Sequence, residues 1–123
     1  MRLCIIADDL TGALDAAAPF AERGLSTRVA LGAEATAEAA ALNPQVMAVS
    51  TRSRDGDEAA ARAAMAQVLA ALPPGVALMK KVDSRLKGHV AAELAVLDPP
   101  AMLVAPAIPD FGRITRDGQV RGF

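Results

Sequence analysis

The residues with the most chemical capacity in this sequence fall in four short clusters, each directly after an apolar run. Asp8-Asp9-Leu10-Thr11-Gly12 follows Leu3–Ala7, and Ser50-Thr51-Arg52-Ser53-Arg54 follows Val46–Val49. Lys80-Lys81-Val82-Asp83-Ser84-Arg85-Leu86-Lys87-Gly88 follows Val76–Met79, and Pro106-Ala107-Ile108-Pro109-Asp110 follows Ala101–Ala105. Adjacent carboxylates can accept hydrogen bonds from substrate hydroxyls, assist proton removal or sit near Mg²⁺. Their plainer role is structural, with Asp9 capping a helix and Asp8 favoured by its dipole. Arg54 can grip a carboxylate with a bidentate fork; the plainer alternative is a solvated arginine paired with Asp55 or Asp57. Strand alternation puts Lys80 and Lys81 on opposite faces, so only one of them serves a given pocket. Asp83 or Ser84 is placed to start the next helix, with Gly88 letting backbone amides approach an anion. His89 is the only histidine, and with no Cys or His nearby it makes a poor metal ligand.

The elements that must position these clusters alternate. The five apolar runs Leu3–Ala7, Thr27–Leu31, Val46–Val49, Val76–Met79 and Ala101–Ala105 read as buried strands. Between them lie Ala-rich helical stretches. Leu14, Ala17, Ala18 and Ala21 follow one helical stripe stopped by Gly24, and Ala33–Leu42 forms a weaker one. Ala61, Met65, Val68, Leu69 and Leu72 form the cleanest stripe, capped by Asp57, and Val90, Leu94 and Leu97 a shorter one. Met47, Met65, Met79 and Met102 read as core filler. Strands alternating with helices predict a Rossmann-like three-layer α/β/α fold with a mostly parallel sheet of about five strands. Ligands of such sheets bind beyond the carboxyl ends of the strands, where the four clusters lie. In the tail, Asp117-Gly118 between short β-capable runs predicts a hairpin.

Composition narrows the partners. The 123 residues contain no Trp or Tyr and three Phe, so base-stacking platforms for single-stranded nucleic acid are lacking. A net charge of −1 gives no global reason to bind nucleic acid or an anionic membrane. Residues 1–78 carry six Lys/Arg against nine Asp/Glu and residues 79–123 seven against five, an interleaving that suits a small anion. One cysteine, Cys4, sits in an apolar run as a buried thiol, and no apolar stretch reaches membrane-spanning length. A reducing cytoplasm is the expected location. Neither G-x-G-x-x-G nor G-x-x-x-x-G-K-[ST] occurs, so the chain carries no recognisable nucleotide site of its own.

Length and the Asp-Asp pair resemble a receiver domain in outline, but Ser50-Thr51 stands where a receiver needs its phosphoacceptor Asp. The motifs Ala7-Asp8-Asp9-Leu10-Thr11-Gly12-Ala13, Thr51-Arg52-Ser53-Arg54, Lys80-Lys81-Val82-Asp83-Ser84-Arg85-Leu86-Lys87-Gly88-His89 and Pro106–Thr115 together resemble the four-carbon acid sugar kinase family. They span nearly the whole chain. Arg52 and Arg85 depart from the family pattern, where an acidic residue and a Thr are common.

The resemblance implies an ATP-dependent kinase that phosphorylates the terminal hydroxyl of threonate, erythronate or a 3-oxo-tetronate. It implies that residues 1–123 are the N-terminal substrate-binding domain, incomplete, with the C-terminal domain that binds ATP and Mg²⁺ absent and the fragment alone inactive. The implied substrate site comprises Asp8, Asp9, Arg54, Lys81, Val82, Asp83 and Ser84. Asp9 and Asp83 are the catalytic candidates, accepting hydrogen bonds from the hydroxyls, while Arg54 and Lys81 meet the carboxylate. The expected partner is a small sugar acid, with a homodimer left open and a free-standing sugar-acid-binding domain or inactive remnant as the non-enzymatic alternative.

Overall fold

The computed structural model describes residues 1–122. Four parallel strands form one sheet: β1 (Leu3–Ala7), β2 (Thr27–Ala30), β3 (Val46–Ser50) and β4 (Ala77–Lys81), in the order β2-β3-β1-β4. Alternation along the strands sorts their side chains onto two faces. Ile5 and Ala7 of β1 join Val46 and Ala48 of β3 under helix α1 (Leu10–Glu22). Cys4 and Ile6 join Met47 and Val49 on the other face, against Met65 and Val68 of α3 (Glu58–Ala70). The short helix α2 (Thr36–Ala41), entered through a 3-10 turn at Ala33–Ala35, packs on that second face, giving the expected three layers. Burial pushes the Cys4 thiol up to about 12, so it stays protonated and inert at neutral pH.

Both capping assignments hold. Asp9 Oδ1 accepts from the Gly12 amide at 2.9 Å, and Asp57 Oδ1 from the Ala60 amide at 2.7 Å. The buried face of α1 differs from the predicted stripe. Ala13 and Ala17 are buried and Phe20 packs beside them, whereas Leu14, Ala18 and Ala21 face outward. An Ala-rich helix carries little contrast between faces, and the small Gly12 and Ala13 side lets α1 approach β1 closely.

The strand count also differs. Ala101–Ala105 forms no strand; it runs as irregular chain along an apolar groove beside β4, with Leu103 92% exposed. Parallel strands require cover on both faces, and the nearby helix α4 (Val90–Leu94) has only five residues. Met79 and Met102 line this groove and are exposed rather than core. Asp83 and Ser84 do not start a helix. They sit in a turn, and α4 begins after His89, whose Nε2 lies 2.7 Å from the Gly56 carbonyl oxygen. The tail forms the predicted hairpin, β5 (Ile114–Arg116) paired antiparallel with β6 (Gln119–Arg121), with Asp117 and Gly118 at φ 53° and 72° as a two-residue hairpin turn requires.

Candidate functional site at the strand ends

Sheet register brings the clusters together. Ala7, the last residue of β1, is level with Ser50 on one side and Lys81 on the other, so Asp8, Thr51 and Val82 leave the sheet at the same height. Backbone bonds tie the first two exits: the Thr51 amide donates to the Ala7 carbonyl at 2.8 Å and the Ser53 amide to that of Asp8 at 3.0 Å. Arg54 is thereby delivered to the acidic pair. Its Nε and Nη2 donate to the two Asp8 oxygens at 3.1 and 2.9 Å, and Nη1 to Asp9 Oδ2 at 2.7 Å. Asp8 is buried, whereas Asp9 keeps about a quarter of its side chain open to solvent. The hydrogen bonds to Asp8 raise the Arg54 pKa further, outweighing its partial burial. Arg54 therefore pairs with Asp8 and Asp9, not with Asp55 or Asp57. Three of its five N–H donors are spent on them, leaving one on each terminal nitrogen for a ligand.

The turn at residues 83–88 closes over the same acids. Gly88 has φ +87° and lies against the Asp8 carboxylate and the Arg54 backbone, leaving no room for a Cβ. Asp83 Oδ2 accepts from the Arg85 amide at 3.0 Å and the Lys87 amide at 3.4 Å, with the Lys87 ammonium 3.6 Å from Oδ1. Burial works to raise the Asp83 pKa, but these amides, the Lys87 ammonium and the Arg54 guanidinium outweigh it and hold the carboxyl below its ordinary value. Ser84 is buried and accepts from Arg113 Nη1 at 2.7 Å.

The two lysines part as alternation requires. Lys81 lies on the α1 side: a Cβ on Gly12 would sit 3.5 Å from its Cγ, and its ammonium donates to the Val82 carbonyl at 2.7 Å. Lys80 turns to the opposite face, where its Nζ is 3.0 Å from Glu93 Oε2 as an ion pair rather than an aligned hydrogen bond. Glu93 Oε1 accepts from Ser53 Oγ at 2.7 Å, and Ser53 Oγ lies 2.8 Å from Thr51 Oγ1. Glu93 was not singled out from the sequence. Its only signal was an acid between Val90 and Leu94 on a short apolar stripe.

An open cleft of about 210 Å³ lies over the acidic pair, lined by Asp8, Asp9, Leu10, Arg52, Arg54 and Asp55. That is below the roughly 300–1,000 Å³ of drug-sized ligand pockets. Arg52, at φ +55°, pairs with Glu34 on the exposed rim. Asp8, Asp9 and Arg54 thus share one cleft, Asp83 and Ser84 occupy the turn packed on it, and Lys81 and Val82 stand at the adjoining strand end. Among the described residues no group of three or more His, Cys, Asp or Glu is arranged to hold a metal ion, and both Asp8 oxygens are already engaged by Arg54.

The profile of the sugar-binding N-terminal domain family matches residues 3–121. The chain belongs to that family. Among curated relatives, the chain is 44% identical over 125 residues to a D-threonate kinase of Cupriavidus necator, covering 96% of the chain and 29% of the relative. It is 39% identical over 123 residues to a D-threonate kinase of Bordetella bronchiseptica, covering 93% and 30% respectively. The D-threonate kinase of Salmonella typhimurium is 31% identical over 131 residues, with 97% of the chain and 29% of the relative covered. The chain therefore spans about 30% of the length of the curated relatives it matches. No helix among the described residues is long and apolar enough to cross a membrane.

Proposed function

We propose that this domain is the substrate-binding part of an ATP-dependent kinase that phosphorylates the terminal hydroxyl of a four-carbon sugar acid, D-threonate being the first candidate. The observation that carries the reading is the convergence of Asp8, Asp9 and Arg54 in one small cleft at the ends of β1 and β3, in a chain of the sugar-binding family. Phosphoryl transfer depends mainly on positioning and charge stabilisation, and this domain's share is positioning. Asp9, the more open of the acids, keeps lone pairs for substrate hydroxyls although each oxygen already accepts one bond. Asp83, held ionised, is the second hydroxyl acceptor, and one of the two orients the attacking oxygen. Arg54 keeps both acids in place and offers its two remaining N–H groups, while Lys81 and Ser84 complete the surroundings of the anion. ATP and Mg²⁺ belong to a part of the enzyme outside these residues.

The test is calorimetric titration of the chain with D-threonate, followed by an ATP-dependent phosphorylation assay. The expected result is saturable 1:1 binding of D-threonate and no phosphorylation by the chain alone. Absence of binding to D-threonate, D-erythronate and the 3-oxo acids overturns the substrate assignment; phosphorylation of D-threonate by the chain alone overturns the placement of ATP.

A further inference from the structure

Of the two cations expected to meet the substrate carboxylate, Arg54 is largely committed to Asp8 and Asp9, and the Lys81 ammonium donates to the Val82 carbonyl. Arg54 spends its fork on Asp8 and its third donor on Asp9, so that trio carries one net negative charge. Asp83 is matched by Lys87. A sugar-acid carboxylate entering this cleft meets acids already joined to their cations, and the guanidinium expected to receive it is largely committed.

Arg113 is differently placed. Its Nη1 donates to the buried Ser84 hydroxyl, a neutral partner, at 2.7 Å, and four N–H donors remain. No carboxylate lies within ion-pair distance of it among the described residues, and its guanidinium rests over the Phe111 ring at 5.7 Å from the centroid. The backbone that presents it is fixed: the Ile108 amide donates to the Arg113 carbonyl at 3.0 Å, and the Arg113 amide returns a bond to the Ile108 carbonyl at 3.2 Å. This closed loop, with Gly112 at φ +70°, carries the cation to the turn whose other end, Gly88, is packed on Asp8. A half-buried guanidinium held by a hydroxyl and a ring, with no carboxylate paired to it among the described residues, suits a planar carboxylate that arrives with the ligand.

Resting on the reading that the domain binds a four-carbon sugar acid, we propose that Arg113 receives the substrate carboxylate, with Ser84 fixing the guanidinium. The hydroxylated end of the substrate then points towards Asp9. Arg113 is thus a charge-specificity residue, and it should discriminate the acid from an uncharged analogue of the same shape.

The experiment is calorimetric titration of the whole chain and its Arg113→Gln and Arg113→Lys variants with D-threonate and with D-threonamide, circular dichroism melting serving as the folding control. Arg113→Gln should weaken D-threonate binding about 10-fold to 100-fold, the range of a charged hydrogen-bonding partner lost. It should weaken D-threonamide binding far less, since the carboxamide brings no charge, and Arg113→Lys should recover part of the loss of acid binding. Equal D-threonate affinity in the parent and Arg113→Gln overturns the assignment and leaves the proposed function standing. An equal loss for acid and amide overturns it in favour of a purely structural role. If Arg113→Gln does not fold, Arg113→Lys decides, because a carboxylate fork predicts weaker acid binding with amide binding retained. Failure of the parent chain to bind D-threonate overturns the proposed function itself and the Arg113 assignment with it.

Discussion

Arg54 forks both carboxylate oxygens of Asp8, 46 positions earlier in the chain, and so closes the end of β1 onto the loop that follows β3. Asp8 is 3% exposed, so removing the guanidinium leaves a buried carboxylate without its counter-ion. Loss of one partner of a buried pair costs about 3–5 kcal/mol, and the partial exposure of Arg54 places this pair near the low end, about 3 kcal/mol. Urea denaturation should show that loss for Arg54→Ala and a smaller one for the double variant Asp8→Asn, Arg54→Ala. Additive losses would mean that the two residues do not act as a pair.

On the opposite face Lys80 and Glu93 are both removed from solvent, and Glu93 also holds the hydroxyl of Ser53, the residue before Arg54. Glu93→Gln and Lys80→Met should each destabilise the fold by about 3 kcal/mol, since each strands a buried charge. The double variant should fall well short of the sum. Denaturation midpoints with an unchanged dependence on denaturant check this; single variants as stable as the parent would contradict it.

Gly88 and Gly24 share nearly the same backbone conformation, φ +87° and +81°, but only Gly88 faces Asp8 and Arg54. Alanine at Gly24 should cost only the left-handed backbone term, about 1–2 kcal/mol. Alanine at Gly88 should cost more and weaken D-threonate binding, because the new methyl displaces Asp8. Equal thermal shifts for the two variants would show that the turn at 83–88 does not pack on the acid.

Asp83 supplies a pH signature. Its folded-state pKa lies below the unfolded value of 3.8, so the stability it contributes is fully present above that value and is lost as pH falls through the folded-state pKa. Asp83→Asn should therefore destabilise the domain at neutral pH and flatten its loss of stability below about pH 4. Parallel stability curves for the parent and variant across acid pH would refute the assignment.

What the sequence made legible follows from contrast between residues. Apolar runs ending in polar clusters marked β1, β3 and β4 and the edge at which they end, and Asp9 and Asp57 stood where caps belong. The orientation of α1 was hidden because its residues are mostly small and nearly equal in hydropathy. Arg54 had acids one and three residues away, and only the parallel pairing of β1 with β3 decides that its partners are Asp8 and Asp9. The run Ala101–Ala105 has strand composition, but composition does not report whether a helix covers it. Arg113 carried no local signal beyond its motif; the long-range approach to Ser84 exists only in the folded chain.

The most direct test of the account is amide chemical-shift mapping of the ¹⁵N-labelled chain during titration with D-threonate. Saturable shifts should concentrate at Asp8–Gly12, Thr51–Asp55, Val82–Gly88 and Arg113, all beyond the carboxyl ends of the strands. Shifts confined to the opposite edge of the sheet or to the groove beside β4, or no shifts at saturating ligand, would contradict it.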